Sequence, residues 1–179
     1  MQRLKNHQSL AILLGSILSI PAMGSALARL PGVSGTSPIQ ITTVPEEFTG
    51  STLDGTSGVS ALTSPACAGA AAMPAAEVIY TWVAQPPTGL HIDFTVTPAN
   101  GFDTAIYVLA ELDDGASCVI VADNFGPGIQ EDIHLEELLV PGNRYYLYVD
   151  SAVGAQHAGD FHLLVWMFIS VELQSFDID

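Results

Sequence analysis

Nineteen acidic residues stand against four basic ones in this 179-residue sequence, so carboxylate chemistry has to be considered first. Two carboxylates run glycoside hydrolysis when they face one cleft at a fixed separation and one of them has a raised pKa. Here the acids fall at turns and strand ends: Asp113 and Asp114 read as a hairpin tip, Glu136 and Glu137 as a charged edge. Asp103 follows Asn100-Gly101, where a short acceptor side chain suits the backbone N–H groups of a turn. The competing role for Asp103 is that of a calcium ligand, with Asp123, Asn124 and Asp150 as co-ligands, since a hard cation needs several oxygens converging from different loops.

The remaining reactive side chains are dispersed. His91, His134, His157 and His162 form no HExxH and have no cysteines at zinc spacing. Serine is plentiful, but no G-x-S-x-G elbow holds one in place. No phosphate loop or dinucleotide fingerprint is present. The sequence is therefore read as non-enzymatic and without a cofactor, calcium being the exception left open.

The first 28 residues have the three parts of a secretory signal peptide: Arg3 and Lys5, the apolar run Leu10–Ile20, and Ala26-Leu27-Ala28 as the cleavage site. Eleven apolar residues are short against the roughly 20 needed to cross a bilayer. Cleavage after Ala28 leaves no transmembrane anchor and a chain that is secreted, periplasmic or held at the cell surface. Its cations are then Arg29 and Arg144 against all 19 acids, too few to release phosphate counterions, which excludes nucleic-acid binding. Cys67 and Cys118 are the whole thiol inventory, and an even pair in an exported chain reads as a disulfide.

The elements that must position these groups are strands. Residues 29–42 read as a flexible linker rich in Gly, Ser and Pro, and 43–179 as one domain. LHIDFTV (90–96) alternates apolar and polar residues; EVIYTWVA, FDTAIYVLA, CVIVA, EDIHLEEL, RYYLYVD and FHLLVWMFISVEL follow between turn residues such as Asn100-Gly101 and Pro141-Gly142. Seven or eight strands at this spacing predict an all-β, antiparallel, jelly-roll-like sandwich. Tyr80 with Trp82, and Tyr146 with Tyr148, are expected in the core between the sheets. Trp166 and Phe168 lie on a strand apolar on both faces and are the candidates for an exposed or interfacial patch.

The ordered set AEVIYTWVA, TGLHIDFTV, GFDTAIYVL, a cysteine, ADN, PGNRYYLYVDS and GDFHLLV resembles the bacterial pre-peptidase C-terminal (PPC) domain over about Thr43 to Val165. The matching positions are Tyr80 and Trp82, Gly89 and Phe94, Phe102–Val108, Asp123, Gly142–Asp150, then Gly159, Phe161 and Leu163. The resemblance implies a jelly-roll-like sandwich that assists secretion or binds substrates or surfaces without doing chemistry. Two departures stand out. The family's acidic doublet is reduced to Asp123-Asn124, and no protease domain precedes the module. The expected partner is an extracellular protein or polysaccharide; a structural, oligomerising envelope protein is the alternative, and a hydrolase the least favoured reading.

Overall fold

The computed structural model describes residues 32, 37–53, 55–68, 70, 75–85, 90–99, 101–135, 138–152 and 158–169, without the side chains of 90, 168 and 169. The leader, Ala28, Glu136, Glu137 and His157 lie outside the described residues. Nine strands form from these residues: β1 (Ile39–Gln40), β2 (Glu46–Ser51), β3 (Val78–Val83), β4 (Leu90–Pro98), β5 (Thr104–Leu109), β6 (Cys118–Ala122), β7 (Glu131–Leu135), β8 (Arg144–Ser151) and β9 (Asp160–Ile169). They build a five-stranded sheet in the order β1-β3-β8-β5-β6 and a four-stranded sheet in the order β2-β9-β4-β7. The predicted all-β sandwich is observed. One pairing differs from the expected antiparallel scheme: β1 runs parallel to β3, with Ile39 opposite Tyr80. It falls inside the stretch read as linker, and its two residues are too short to show period-two alternation. No described helix is long and apolar enough to cross a membrane.

Turn chemistry sets the register. Gly101 (φ 75°) and Gly142 (φ 87°) supply the left-handed backbone at the turns into β5 and β8, a conformation glycine adopts without a Cβ clash. Strand β4 then places Ile92, Phe94 and Val96 inward, where all three are buried, and Asp93, Thr95 and Thr97 outward. Their inward partners across the sheet are Ile133 and Leu135 of β7 and Leu163 and Val165 of β9. Facing them from the other sheet are Tyr80, Trp82, Ile106, Val108, Leu147 and Val149. Trp82 lies 5.0 Å from the Phe94 ring and 5.9 Å from Tyr145.

The two sheets differ in their outer faces. On the five-stranded sheet every residue of β5 is buried, so this sheet is covered on both sides at that strand. The cover is the segment 52–70. It contributes Val59 and Cys67 to a second apolar cluster with Ile79, Ala105, Tyr107, Leu109, Cys118 and Tyr148. Tyr80 and Trp82 are in the intersheet core as expected. Tyr146 and Tyr148 correct that expectation: both lie on the opposite side of the sheet, Tyr146 half-buried and Tyr148 fully buried with its ring stacked 4.9 Å from Tyr107 at 9°. Period two sends Tyr148 and Leu147 to opposite faces, and only the covering segment makes both interior.

That segment is tied down by the Cys67–Cys118 disulfide, by the Thr63 N–H donating to the Gly115 carbonyl at 3.1 Å, and by a bridge between Thr56 and Glu77. A cross-link between residues 51 apart stabilises a fold by about 4 kcal/mol on the chain-entropy model. Replacing Cys67 and Cys118 together by alanine is expected to lower the unfolding free energy by about 2–4 kcal/mol, read by urea denaturation. The added denaturant sensitivity should come with faster exchange of the Gly58 and Thr63 amides. A double variant as stable as the parent would show that the strap holds without its tether.

Candidate functional site

With the five-stranded sheet covered, the outer face of the four-stranded sheet is the open one. Three rows of side chains cross it. His134 of β7, Asp93 of β4 and Trp166 of β9 are opposite one another in register. The next row is Asp132, Thr95, Leu164 and Glu47, and beyond it stand Thr97, His162 and Thr49. Trp166 is 41% exposed, near the middle of this face. The polar groups around it are held by one another: His134 Nδ1 is 3.0 Å from Asp93 Oδ1, and Thr95 Oγ1 donates to Asp132 Oδ1 at 2.7 Å. Gln130 Nε2 donates to both oxygens of Asp132, at 3.1 and 3.0 Å. His162 Nε2 lies 3.6 Å from Glu47 Oε2. None of these outward residues is Lys or Arg.

Phe168, the other half of the expected patch, pairs with His91 in the ladder, but its side chain lies outside the described residues. Strand β9 carries apolar residues on both faces, as expected, but only one face is buried. Its inward residues Phe161, Leu163 and Val165 are buried, while His162, Leu164 and Trp166 point the other way.

A second cluster of ionisable groups lies under the strap, and the sequence did not signal it. Glu77 precedes β3 and is 1% exposed; Asp150 in β8 is fully buried. The Tyr107 hydroxyl sits between them, 3.1 Å from Glu77 Oε2 and 3.4 Å from Asp150 Oδ2. A phenol has one hydrogen to give, so one of the two carboxyls must itself be protonated to complete the row. Glu77 Oε1 accepts the Gly58 N–H, and Asp150 Oδ1 accepts the Ser151 N–H at 2.6 Å. Burial pushes the Glu77 carboxyl up to about 7 against these hydrogen bonds. It pushes Asp150 up to about 8, with the Glu77 charge adding to the effect. Asp113 is exposed in a turn, as a hairpin tip would be, and it also folds back: the Tyr148 hydroxyl donates to its Oδ1 at 3.0 Å and accepts its N–H at 2.9 Å. Its φ of 58° permits that return, at a backbone angle Asp tolerates better than most residues.

The four calcium candidates are Asp103, Asp123, Asn124 and Asp150. Asp150 belongs to the tyrosine cluster. Asp123 and Asn124 open the β6–β7 loop, which folds around Glu131: Glu131 Oε1 accepts the N–H groups of Asn124 (3.0 Å) and Phe125 (2.7 Å). Asp103 is 6% exposed, and its Oδ1 accepts no hydrogen bond among the described residues; Asn100 of the turn before it lies outside them. Among the described residues no three His, Cys, Asp or Glu side chains converge as a metal site. A cleft of about 350 Å³ lies where the sandwich ends open between Trp82, Ile92, Met167 and Arg144. No carboxylate, histidine, serine or cysteine is among its described lining residues.

No family model matches the chain, and no curated protein does. Solved structures do. One match is a pre-peptidase C-terminal domain. It belongs to a collagenase from Bacillus anthracis, is 18% identical, covers 72% of this chain and 94% of that one, and superposes with a TM-score of 0.44.

The buried carboxyl pair has a pH signature. Both folded-state pKa values lie above the ordinary 4.5 of Glu77 and 3.8 of Asp150, so the folded chain binds more protons than the unfolded one between these limits. Stability from the pair is therefore complete below about pH 4 and lost as the pH rises through 7 to 8. Glu77→Gln keeps an acceptor for Gly58 and removes the ionisation. It is expected to match the parent at pH 5 and exceed it by about 1–3 kcal/mol at pH 8.5, measured by urea denaturation. Parallel pH profiles for the two proteins would exclude a shared proton at this position.

Proposed function

We propose that the chain is a non-catalytic accessory β-sandwich module acting outside the cytoplasm, which holds an extracellular polymer, protein or surface on the open face of its four-stranded sheet. The observation that carries this reading is Trp166, a large aromatic side chain left 41% exposed among hydrogen-bonding groups already fixed in place. Exposed aromatics with a rigid polar surround are what recognition surfaces use, since a ring offers contact area at low entropic cost.

Three further observations favour it over the rivals. The carboxyls with raised pKa values are buried: Glu77 and Asp150 against Tyr107, and Glu131 under the N–H groups of Asn124 and Phe125. The cleft at the sandwich end offers no general acid or base from its described lining. Strand β9, the apolar LLVWMF stretch, is hydrogen-bonded on both edges, to β2 and β4, so it has no free edge with which to add a strand from a second copy. Export is supported by the leader-like N-terminus and by the disulfide, and an accessory role by the resemblance to PPC domains.

The test is equilibrium adsorption of the full mature chain to extracellular polymers, glycan and protein. Trp166→Ala, checked for an unchanged melting temperature, is expected to weaken adsorption by about tenfold or more. Equal adsorption of parent and variant on every matrix would overturn the proposed face.

A further inference from the structure

We infer that the ligand of this face is a neutral polysaccharide chain, recognised by stacking of a sugar ring on Trp166 and by hydroxyl contacts to the Asp93, His134, Asp132 and Gln130 side chains beside it. The inference rests on the binding reading of the same face and names its ligand class.

The first argument is charge. The outward residues of the four-stranded sheet include Asp93, Asp132 and Glu47 but no Lys or Arg. Arg144, the one Lys or Arg among the described residues, belongs to the other sheet, where its Nη1 donates to Gln40 and Thr81. In a chain with 19 acids and four cations, an anionic polymer is repelled at long range and finds no partner at contact.

The second argument is donor and acceptor type. Ionised carboxylates only accept hydrogen bonds, so a ligand must bring donors to Asp93 and Asp132. Sugar hydroxyls both donate and accept, which suits a face that alternates carboxylate, amide, hydroxyl and imidazole. The third is shape. The rows lie across β7, β4 and β9, strands spaced about 4.8 Å apart, and side chains anchored to one another form a flat, pre-organised platform. An aromatic ring presents a negative face to the polarised C–H groups of a pyranose. A peptide strand instead adds to a sheet edge through main-chain hydrogen bonds, whereas these groups stand on the face of the sheet, and a hollow of about 680 Å³ beside Thr49, Thr97 and His162 lies beyond the Trp166 row. Because the polar groups are already held by mutual hydrogen bonds, little side-chain entropy is lost when the ligand lands.

The probes are amorphous cellulose, chitin and mannan as neutral glycans, gelatin as a protein polymer, and alginate as an anionic glycan, each incubated with the mature chain. Retention is expected on at least one neutral glycan and not on alginate, with little change in added salt. Trp166→Ala should reduce that retention about tenfold or more and Asp132→Ala about threefold or more, while Trp166→Phe restores part of the loss. All variants must keep the parent's melting temperature. Trp166-dependent retention on gelatin alone would overturn the glycan assignment and leave the binding face standing. Retention on neutral glycans unaffected by Trp166→Ala, or no retention anywhere, would overturn both.

Discussion

The strap laid over the outer face of the five-stranded sheet decides most of what this molecule exposes. Segment 52–70, joined to β6 by the Cys67–Cys118 disulfide, turns a two-layer sandwich into one with a third, partial layer. Sheets covered on both faces carry near-continuous apolar runs, while half-covered ones alternate. VIYTWV in β3 and TAIYVL in β5 are of the first kind; LHIDFTV in β4 is of the second. The more open sheet face is consequently that of the four-stranded sheet, and Trp166 stands on it.

The same strap explains why ionisable groups are buried with no cation beside them in the cluster. Glu77, Asp150, Tyr107 and Tyr148 occupy an outer sheet face, where polar residues are ordinary, until the strap shuts off water. Once closed in, the carboxyls are held by N–H groups of Gly58 and Ser151 and by one shared phenol. A buried carboxyl keeps its proton when no positive charge compensates it. The cost is borne at alkaline pH, and the strap is fastened to Glu77 in return.

Much of the sandwich is legible in the sequence because alternation and turn chemistry agree. Asn100-Gly101, Pro141-Gly142 and the period of LHIDFTV mark β4, β5 and β8 unambiguously. Pairing of Cys67 with Cys118 follows from there being two cysteines. Trp166 is legible as a patch residue because of its strand, though the strand's two-sided apolar appearance hides the polar neighbours contributed by β4 and β7. The buried carboxyls are not legible: an acid at the start of EVIYTWVA or the end of RYYLYVD looks like a solvated strand end, and only the strap, itself of turn-like composition, buries it. Asp103, Asp123, Asn124 and Asp150 all offer side-chain oxygens, but spacing along the chain does not reveal whether such oxygens converge, and among the described residues no three acidic, His or Cys side chains do.

The most direct test of this asymmetry is hydroxyl-radical footprinting of the folded, oxidised chain, with oxidation rates read residue by residue. An open four-stranded face and a strapped five-stranded one require rapid oxidation of Trp166 and His134, with Trp82, Tyr107 and Tyr148 protected. Protection of Trp166, or oxidation of Tyr107 and Tyr148 as fast as that of Trp166, would contradict the arrangement from which the binding face is inferred.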